Sequence, residues 1–415
     1  MAEIQPLRAL RYDLDQTGGL QPVVAPPYDV IDAEQRARLE ASSPYNVVRI
    51  DLPVGGEDRY ERAAAQLQSW RDTGVIVADD QPALWTLAQD YTGPDGQART
   101  RKGFFARVRV EDYGAGRIRP HERTHPGPKE DRLRLTRATR ANLSPIFSLY
   151  SDPAGVADRA LSSPQPWAQT TDADGTINHV GRVVDETAIA AVADALAGTE
   201  LLIADGHHRY ETARVYADEI GGDGPHRYVL MCLVALQDPG LTVFPTHRLV
   251  RGLRSDQHEA LANTLRRDFE IEALADPAQL APGAGDRVRI GYIDAHFKRP
   301  YMLTLKDQAT ADAALSDHAE PYRRLDTAVL EALILKATLG MTDHDIDELN
   351  GLGYARDFAQ ALELIGDASY DAAFFMAPTP IERVHEVAAA GESMPPKSTY
   401  FVPKVGTGLL FNPLA

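Results

Sequence analysis

Leu201-Leu202-Ile203-Ala204-Asp205-Gly206-His207-His208-Arg209-Tyr210-Glu211-Thr212-Ala213 is the stretch on which the reading of this chain turns. Its apolar start predicts a buried strand, Asp205-Gly206 a turn, and His208 to Ile220 a helix. A carboxylate, a glycine, two imidazoles and a guanidinium therefore gather where a strand passes into a helix N-terminus. The first N–H groups of a helix are unpaired, and the helix dipole favours anions there. His207, His208 and Arg209 add donors at the same place, and Gly206 lets the backbone approach a ligand closely. Asp205 fits an anion site only if it binds Mg²⁺ or takes a proton. A phosphate site with a carboxylate inside it is what phosphoryl transfer requires. The same residues also read as an N-cap aspartate followed by a polar first turn. At this level the two readings stand side by side.

The segments around this stretch predict a mixed α/β chain with several antiparallel hairpins. Strands are expected at Leu7–Leu14, Val47–Leu52 and Ile146–Tyr150. Hairpins are expected at Leu84–Tyr91 with Arg99–Val110, and at Trp167–Val184 around Asp174-Gly175. Glu57–Asp72 and Glu186–Ala197 read as helices, Arg227–Leu236 as a strand. Beyond it, helices are expected near 256–268, 309–317 and 322–339, and strands near 287–294, 301–305 and 371–376. A chain of 415 residues is long for one core. Two lobes, 1–155 and 156–415, are expected to share one site.

Composition removes several function classes. The net charge of −17 argues against general nucleic-acid or anionic-membrane binding. No apolar run approaches the roughly 18–20 residues of a membrane span. Met1 to Asp15 lacks a signal-peptide core, and the lone Cys232 forms neither an intrachain disulfide nor a cysteine zinc cluster. A cytoplasmic protein is expected. The chain has few lysines for its 43 basic residues. Lys129, Lys397 and Lys404 lie in Pro/Gly-rich polar segments, where a compact ammonium suits a phosphate as well as it suits solvent.

A second polar cluster runs from Arg119 to Arg132. His121-Glu122-Arg123-Thr124-His125 matches H-E-x-x-H in form, but that zinc motif needs one continuous helix. Pro120 precedes it and Pro126-Gly127-Pro128 follows, so a loop is expected, with a charged helix after it running to about Arg140. In that loop Glu122 would bind metal or a substrate amine, and Lys129 and Arg132 would face phosphates; a solvated charged loop is the alternative. No Walker loop, no G-x-G-x-x-G after a strand and no G-x-S-x-G elbow is present.

Several motifs together carry a resemblance. They are Ala25-Pro26-Pro27-Tyr28-Asp29-Val30, Ser43-Pro44-Tyr45-Asn46-Val47-Val48, Gly127-Pro128-Lys129-x-Asp131-Arg132, Ser144-Pro145-Ile146-Phe147, Asp205-Gly206-His207-His208-Arg209-Tyr210, Pro245-Thr246-His247-Arg248 and Met394-Pro395-Pro396-Lys397-Ser398-Thr399-Tyr400-Phe401. By them the chain resembles the bacterial family named domain of unknown function 1015, over nearly its whole length. Asp205 to Arg209 is also similar to the phosphate-binding strand–turn–helix of the ParB/sulfiredoxin superfamily, which includes free-serine kinases. The fold implied is mixed α+β with such a phosphate site. No cysteine stands near the motif, so reductase chemistry is not implied. What the resemblance implies is an ATP- and Mg²⁺-dependent kinase for a small hydroxylated metabolite, free L-serine first. Asp205, His207 and Glu122 would be catalytic, with Asp205 and Glu122 as Mg²⁺ ligands. Gly206, His208, Arg209, Lys129, Arg132, His247, Arg248 and Lys397 would hold nucleotide phosphates. A phosphoester or nucleotide hydrolase, or a nucleotide-binding regulatory module, is the alternative.

Overall fold

A computed structural model describes residues 2–114, 117–122, 126–283, 285 and 287–415. The chain forms two compact units. The first holds 1–120, 124–241 and 403–415; the second holds 121–123 and 242–402. The expected division at 155/156 is therefore corrected: it falls inside a single sheet, whose strands on either side of it pair with one another.

That sheet has nine strands. Its order is Ile118–Arg119, Leu201–Asp205, Ile146–Tyr150, Tyr228–Ala235, Ala98–Arg109, Leu84–Thr92, Ile177–Val183 and Gln165–Thr171, with Ile4–Gln5 also on the Ala98–Arg109 strand. The centre is built from continuous apolar runs. Ile146–Tyr150 is buried at all five positions, and Tyr228–Ala235 at all but the last. These two strands pair in parallel, while Leu201–Asp205 runs antiparallel to Ile146–Tyr150. The Leu84–Thr92 and Ala98–Arg109 hairpin alternates buried and half-buried positions, as a strand with one core face must. On one face, Phe104, Val108, Ile146, Ile203 and Met231 pack against Val192 and Leu196 of the Glu186–Leu196 helix. Tyr210 and Ala213 of the His207–Ile220 helix join the same core.

The second unit is centred on an antiparallel six-stranded sheet. Its order is Phe269–Ala273, Tyr301–Leu305, Arg289–Asp294, Ala372–Phe375, His247–Val250 and Leu352–Ala355. A short pair, Thr242–Phe244 with Tyr400–Val402, lies apart from that sheet. No helix among the described residues is long and apolar enough to cross a membrane.

Three local expectations are corrected. Val47–Leu52 is a helical turn, Val48–Asp51, rather than a strand. A run this short does not distinguish the two, and the Asn46 carboxamide settles it by accepting the Val48 amide hydrogen at 3.0 Å. The 322–339 helix is broken into Glu320–Arg323, Asp326–Val329 and a wider i+5 helix, Leu330–Lys336. The loop expected through Arg132 ends earlier, because the charged helix starts at Pro126 and runs to Thr139. Proline is tolerated in the first turn of a helix, where its missing N–H would have had no partner.

Candidate functional site in the first unit

The Leu201–Asp205 strand carries Asp205 at its end, and the His207–Ile220 helix starts two residues later. The buried positions His207, Tyr210, Ala213, Tyr216 and Ala217 recur every three or four residues, which fixes the inner face of that helix. Gly206 makes the turn in the left-handed region, at φ 94°. A Cβ there would lie 3.0 Å from Nε and 3.1 Å from Cζ of Arg209, so a side chain at 206 would displace that guanidinium. Gly206, rather than Asp205, is the N-cap of the helix, and it has no side chain to accept from the first turn.

The carboxylate is instead held by cations. Its Oδ1 lies 3.5 Å from Lys404 Nζ and its Oδ2 3.3 Å from Arg209 Nη2. Burial opposes ionisation here, but Lys404, Arg209 and His207 together outweigh it and hold the carboxyl well below the usual carboxylate range. Arg209 also donates from Nη1 to the Pro145 carbonyl, while its Nε is buried without a hydrogen-bond partner.

Lys404 is placed by a buried polar ladder. The Gln89 carboxamide donates from Nε2 to the Lys404 carbonyl at 3.1 Å and to Asn178 Oδ1 at 2.8 Å. Gln89 Oε1 accepts from Arg101 Nε at 3.2 Å and from Arg101 Nη2. Gln89, Arg101 and Asn178 are each 1% exposed. The Arg101 guanidinium lies 4.5 Å from the ring centre of Phe147, the residue in register with Asp205 across the sheet. Burial brings the pKa of Arg101 down to about 10, and its Nη1 has no hydrogen-bond partner.

A second arginine reaches the same neighbourhood. The Pro126–Thr139 and His207–Ile220 helices meet through Leu133 and Tyr216, and Thr212 Oγ1 donates to the Lys129 carbonyl at 3.4 Å. Arg132 and Arg209 line one cavity of about 40 Å³ with Asp51, Ser144, Asn142 and Thr212. Arg132 is 5% exposed. It donates to the Asp51 carbonyl at 2.6 Å, lies 3.4 Å from Asp51 Oδ1, forks onto Asp131 Oδ2 at 2.6 and 2.9 Å, and stacks 4.3 Å over Tyr28. Burial opposes its charge, but Asp51 and Asp131 outweigh that and raise its pKa. Burial pushes the Asp51 carboxyl up, against Arg132 and a 3.1 Å hydrogen bond from Ser144. Lys129 is half-buried.

Glu122, His247, Arg248 and Lys397 belong to the second unit. Glu122 bridges to Met394. His121 is fully buried, 2.8 Å from Thr399 Oγ1, and edge-on to Phe401. His125 lies outside the described residues. No group of three or more metal-ligating side chains occurs among the described residues. Lys397 is exposed, with a left-handed φ of 57°. Arg248 is 3% exposed and donates to the carbonyls of Thr246 and Pro396 at 2.5 and 3.0 Å. His247, also 3% exposed, accepts the Met376 amide hydrogen on Nδ1 at 3.2 Å and lies against Phe375. His247 and Arg248, expected to face phosphates, thus both tie their own sheet to neighbouring backbone.

His247 makes a pH prediction. Burial, then Arg248, bring its pKa from 6.5 down to about 4. The unfolded chain takes up this proton first, so the stability that neutral His247 supports is lost as pH falls from about 6.5 towards 4. Burial of Asp326 in the same unit raises its pKa to about 6, which acts oppositely. The comparison is therefore with His247→Asn, whose carboxamide oxygen keeps the Met376 bond. Wild type should lose urea resistance faster than the variant on acidification through that window. A constant gap between the two midpoints would reject this account.

Sequence reasoning missed Lys404 as a partner of Asp205, gave Ser144 no role beyond its motif, and missed Asp51, Gln89 and Arg101 altogether. The only signals available were the scarcity of lysine and the Tyr28 and Ser144-Pro145 motifs.

A family model described as "Protein of unknown function (DUF1015)" matches residues 4–328. No curated protein sequence matches the chain. Among solved structures, a conserved hypothetical protein from Pyrococcus furiosus is 15% identical at a TM-score of 0.35, covering 69% of this chain and 87% of its own. A free serine kinase variant in complex with ADP is 12% identical at a TM-score of 0.37, covering 70% and 89%. A C-terminally truncated SbnI from Staphylococcus aureus is 12% identical at 0.38, covering 72% and 84%. Superposition this loose transfers neither a site nor an activity.

Proposed function

The chain belongs to the DUF1015 family over residues 4–328, and we propose from its own site that it is a nucleotide-dependent phosphotransferase. The acceptor in this reading is a small hydroxylated metabolite, with free L-serine the first candidate, and ATP is the donor. One observation carries the reading: an ionised Asp205 stands at a left-handed glycine turn before a helix N-terminus, bracketed by Lys404 and Arg209.

Phosphoryl transfer needs positioning and charge neutralisation more than covalent chemistry. The amide groups of the first helical turn, His208 and Arg209 would hold phosphate oxygens. The buried, unpartnered Nε of Arg209 is a donor suited to one of them. Gly206 keeps the approach open. Asp205 would accept the proton of the acceptor hydroxyl, and His207 beside it adds positive charge when protonated. Lys404 would neutralise charge as the phosphoryl group moves. Arg132, on the adjoining helix, lines the same cavity as Arg209, and Lys129 on that helix would add positive charge in this reading.

Mg²⁺ belongs to this reading as well. This ion is commonly held by one or two carboxylates plus substrate phosphates, and Asp205 provides one carboxylate. When bound it would neutralise phosphate charge.

The test is a panel of amino acids and polyols, L-serine included, incubated with ATP and Mg²⁺ and followed by phosphorus NMR. Acceptor-dependent appearance of a phosphomonoester is expected. Release of inorganic phosphate independent of any acceptor would replace this reading by a hydrolase. Nucleotide binding without turnover would replace it by a regulatory binder.

A further inference from the structure

We propose that the second unit carries an oxyanion site of its own, which takes one phosphoryl group between Arg287, Arg289, Arg324 and Arg383. These four arginines line a single recess of about 50 Å³, with Asp326 and Thr379. Arg287 and Arg289 flank the buried Val288, and both line the recess; Arg287 also donates to the Leu305 carbonyl at 2.9 Å. Arg324 follows the Glu320–Arg323 helix, and Arg383 stands in the first turn of the Ile381–Ala389 helix. Three separate segments of the unit thus deliver four cations to one small space, in a chain whose net charge is −17. Cations gathered this way repel one another, and an anion bound among them would relieve that repulsion.

The protein's own carboxylates do not fill that role. Arg287, Arg324 and Arg383 pair with Glu270 at 3.1 Å, Glu320 at 2.7 Å and Glu386 at 3.3 Å, all partly exposed. Ion pairs of this kind contribute little and exchange readily. Arg289 has no ion pair among the described residues. Asp326 is the one carboxylate in the lining, and its oxygens accept from Thr327 N at 2.7 Å and Ala377 N at 2.9 Å. Glu382, in the first turn of the Ile381–Ala389 helix, is exposed. Pro380 caps that helix without a side-chain hydrogen bond, so its positive dipole end adds to the arginines.

The recess, with about 50 Å³ of space, accommodates a single tetrahedral oxyanion. Planar guanidinium groups favour phosphate, which they can grip through two N–H donors at once. Inorganic phosphate and the phosphoryl end of a small phosphomonoester share that chemistry. All the residues named lie in the second unit, so the site does not depend on the proposed reaction.

The experiment is calorimetric titration of the full chain with inorganic phosphate and with glycerol 3-phosphate, at constant ionic strength. An Arg209→Ala background removes the contribution of the Asp205 site. The pair Arg289→Gln with Arg383→Gln should weaken binding by at least about tenfold there, because two bidentate donors are lost. Arg289→Lys with Arg383→Lys keeps the charge and loses the fork, so a smaller loss is expected; this variant decides if the glutamine pair does not fold. Tighter binding of glycerol 3-phosphate supports a metabolite ligand, and tighter binding of phosphate supports the free ion. Unchanged affinity in both double variants overturns the proposal. So does complete loss of phosphate binding in Arg209→Ala alone, which leaves the nucleotide reading intact.

Discussion

Asp205→Asn should lower acceptor-dependent turnover by roughly 100-fold or more, in the range of general-base contributions. The change keeps the shape of the side chain and removes its charge and its basic lone pair. A 100-fold loss corresponds to about 2.7 kcal/mol of barrier. Nucleotide binding should change less, because in this reading the helix amides, His208 and Arg209 carry it. Arg209→Ala should show the opposite split, weakening nucleotide binding first. The geometry already weighs against the capping alternative, since the N-cap is Gly206 rather than Asp205. A capping aspartate would tolerate Asn almost silently and lose about 1 kcal/mol of stability to Ala. Wild-type turnover in Asp205→Asn would remove the carboxylate from the mechanism.

Arg132→Met should destabilise the protein by about 3–5 kcal/mol, the usual cost of leaving a buried charge without its partner. Asp51 is 5% exposed and Arg132 is its ion-pair partner. Its remaining side-chain donor is Ser144. The loss is large against a total stability of about 5–15 kcal/mol for a typical domain. Adding Asp51→Asn should recover part of it, because the stranded charge is then gone. Arg132→Lys should rescue poorly, because an ammonium cannot reproduce the fork onto Asp131 and the stacking over Tyr28. Urea denaturation measures all three. A loss below about 1 kcal/mol in Arg132→Met would show that Asp51 is already neutral, with its charge no longer in need of the guanidinium.

The two arginines illustrate what could be read early and what could not. Arg209 was placed from local pattern alone: an apolar run, a glycine, then residues at helical spacing. Arg132 was singled out for its polar surroundings and expected to face ligand from a loop. It lies instead on a helix whose first residue is Pro126, and it is largely occupied by Asp51 and Asp131. The element that supplies Asp51 was expected to be a strand, because Val47 to Leu52 is too short for periodicity to speak. The Asn46 hydrogen bond that makes it helical is invisible without coordinates.

Local order was within reach of the sequence by itself. The strand, turn and helix from Leu201 to Ile220 and both hairpins of the first unit follow from apolar runs, glycine placement and alternation. These act over a few residues and need no partner. What only the tertiary structure decided is which charges meet. Lys404 reaches Asp205 because Gln89, Arg101 and Asn178 form a buried ladder under its carbonyl. Arg132 is bound to a carboxylate 81 positions away in the chain. His247 and Arg248 hydrogen-bond backbone groups of their own unit. A cation in a sequence carries no mark of its partner. Pairing is set by burial, where an unpaired charge is too costly to keep, and burial is fixed only when distant strands and helices pack.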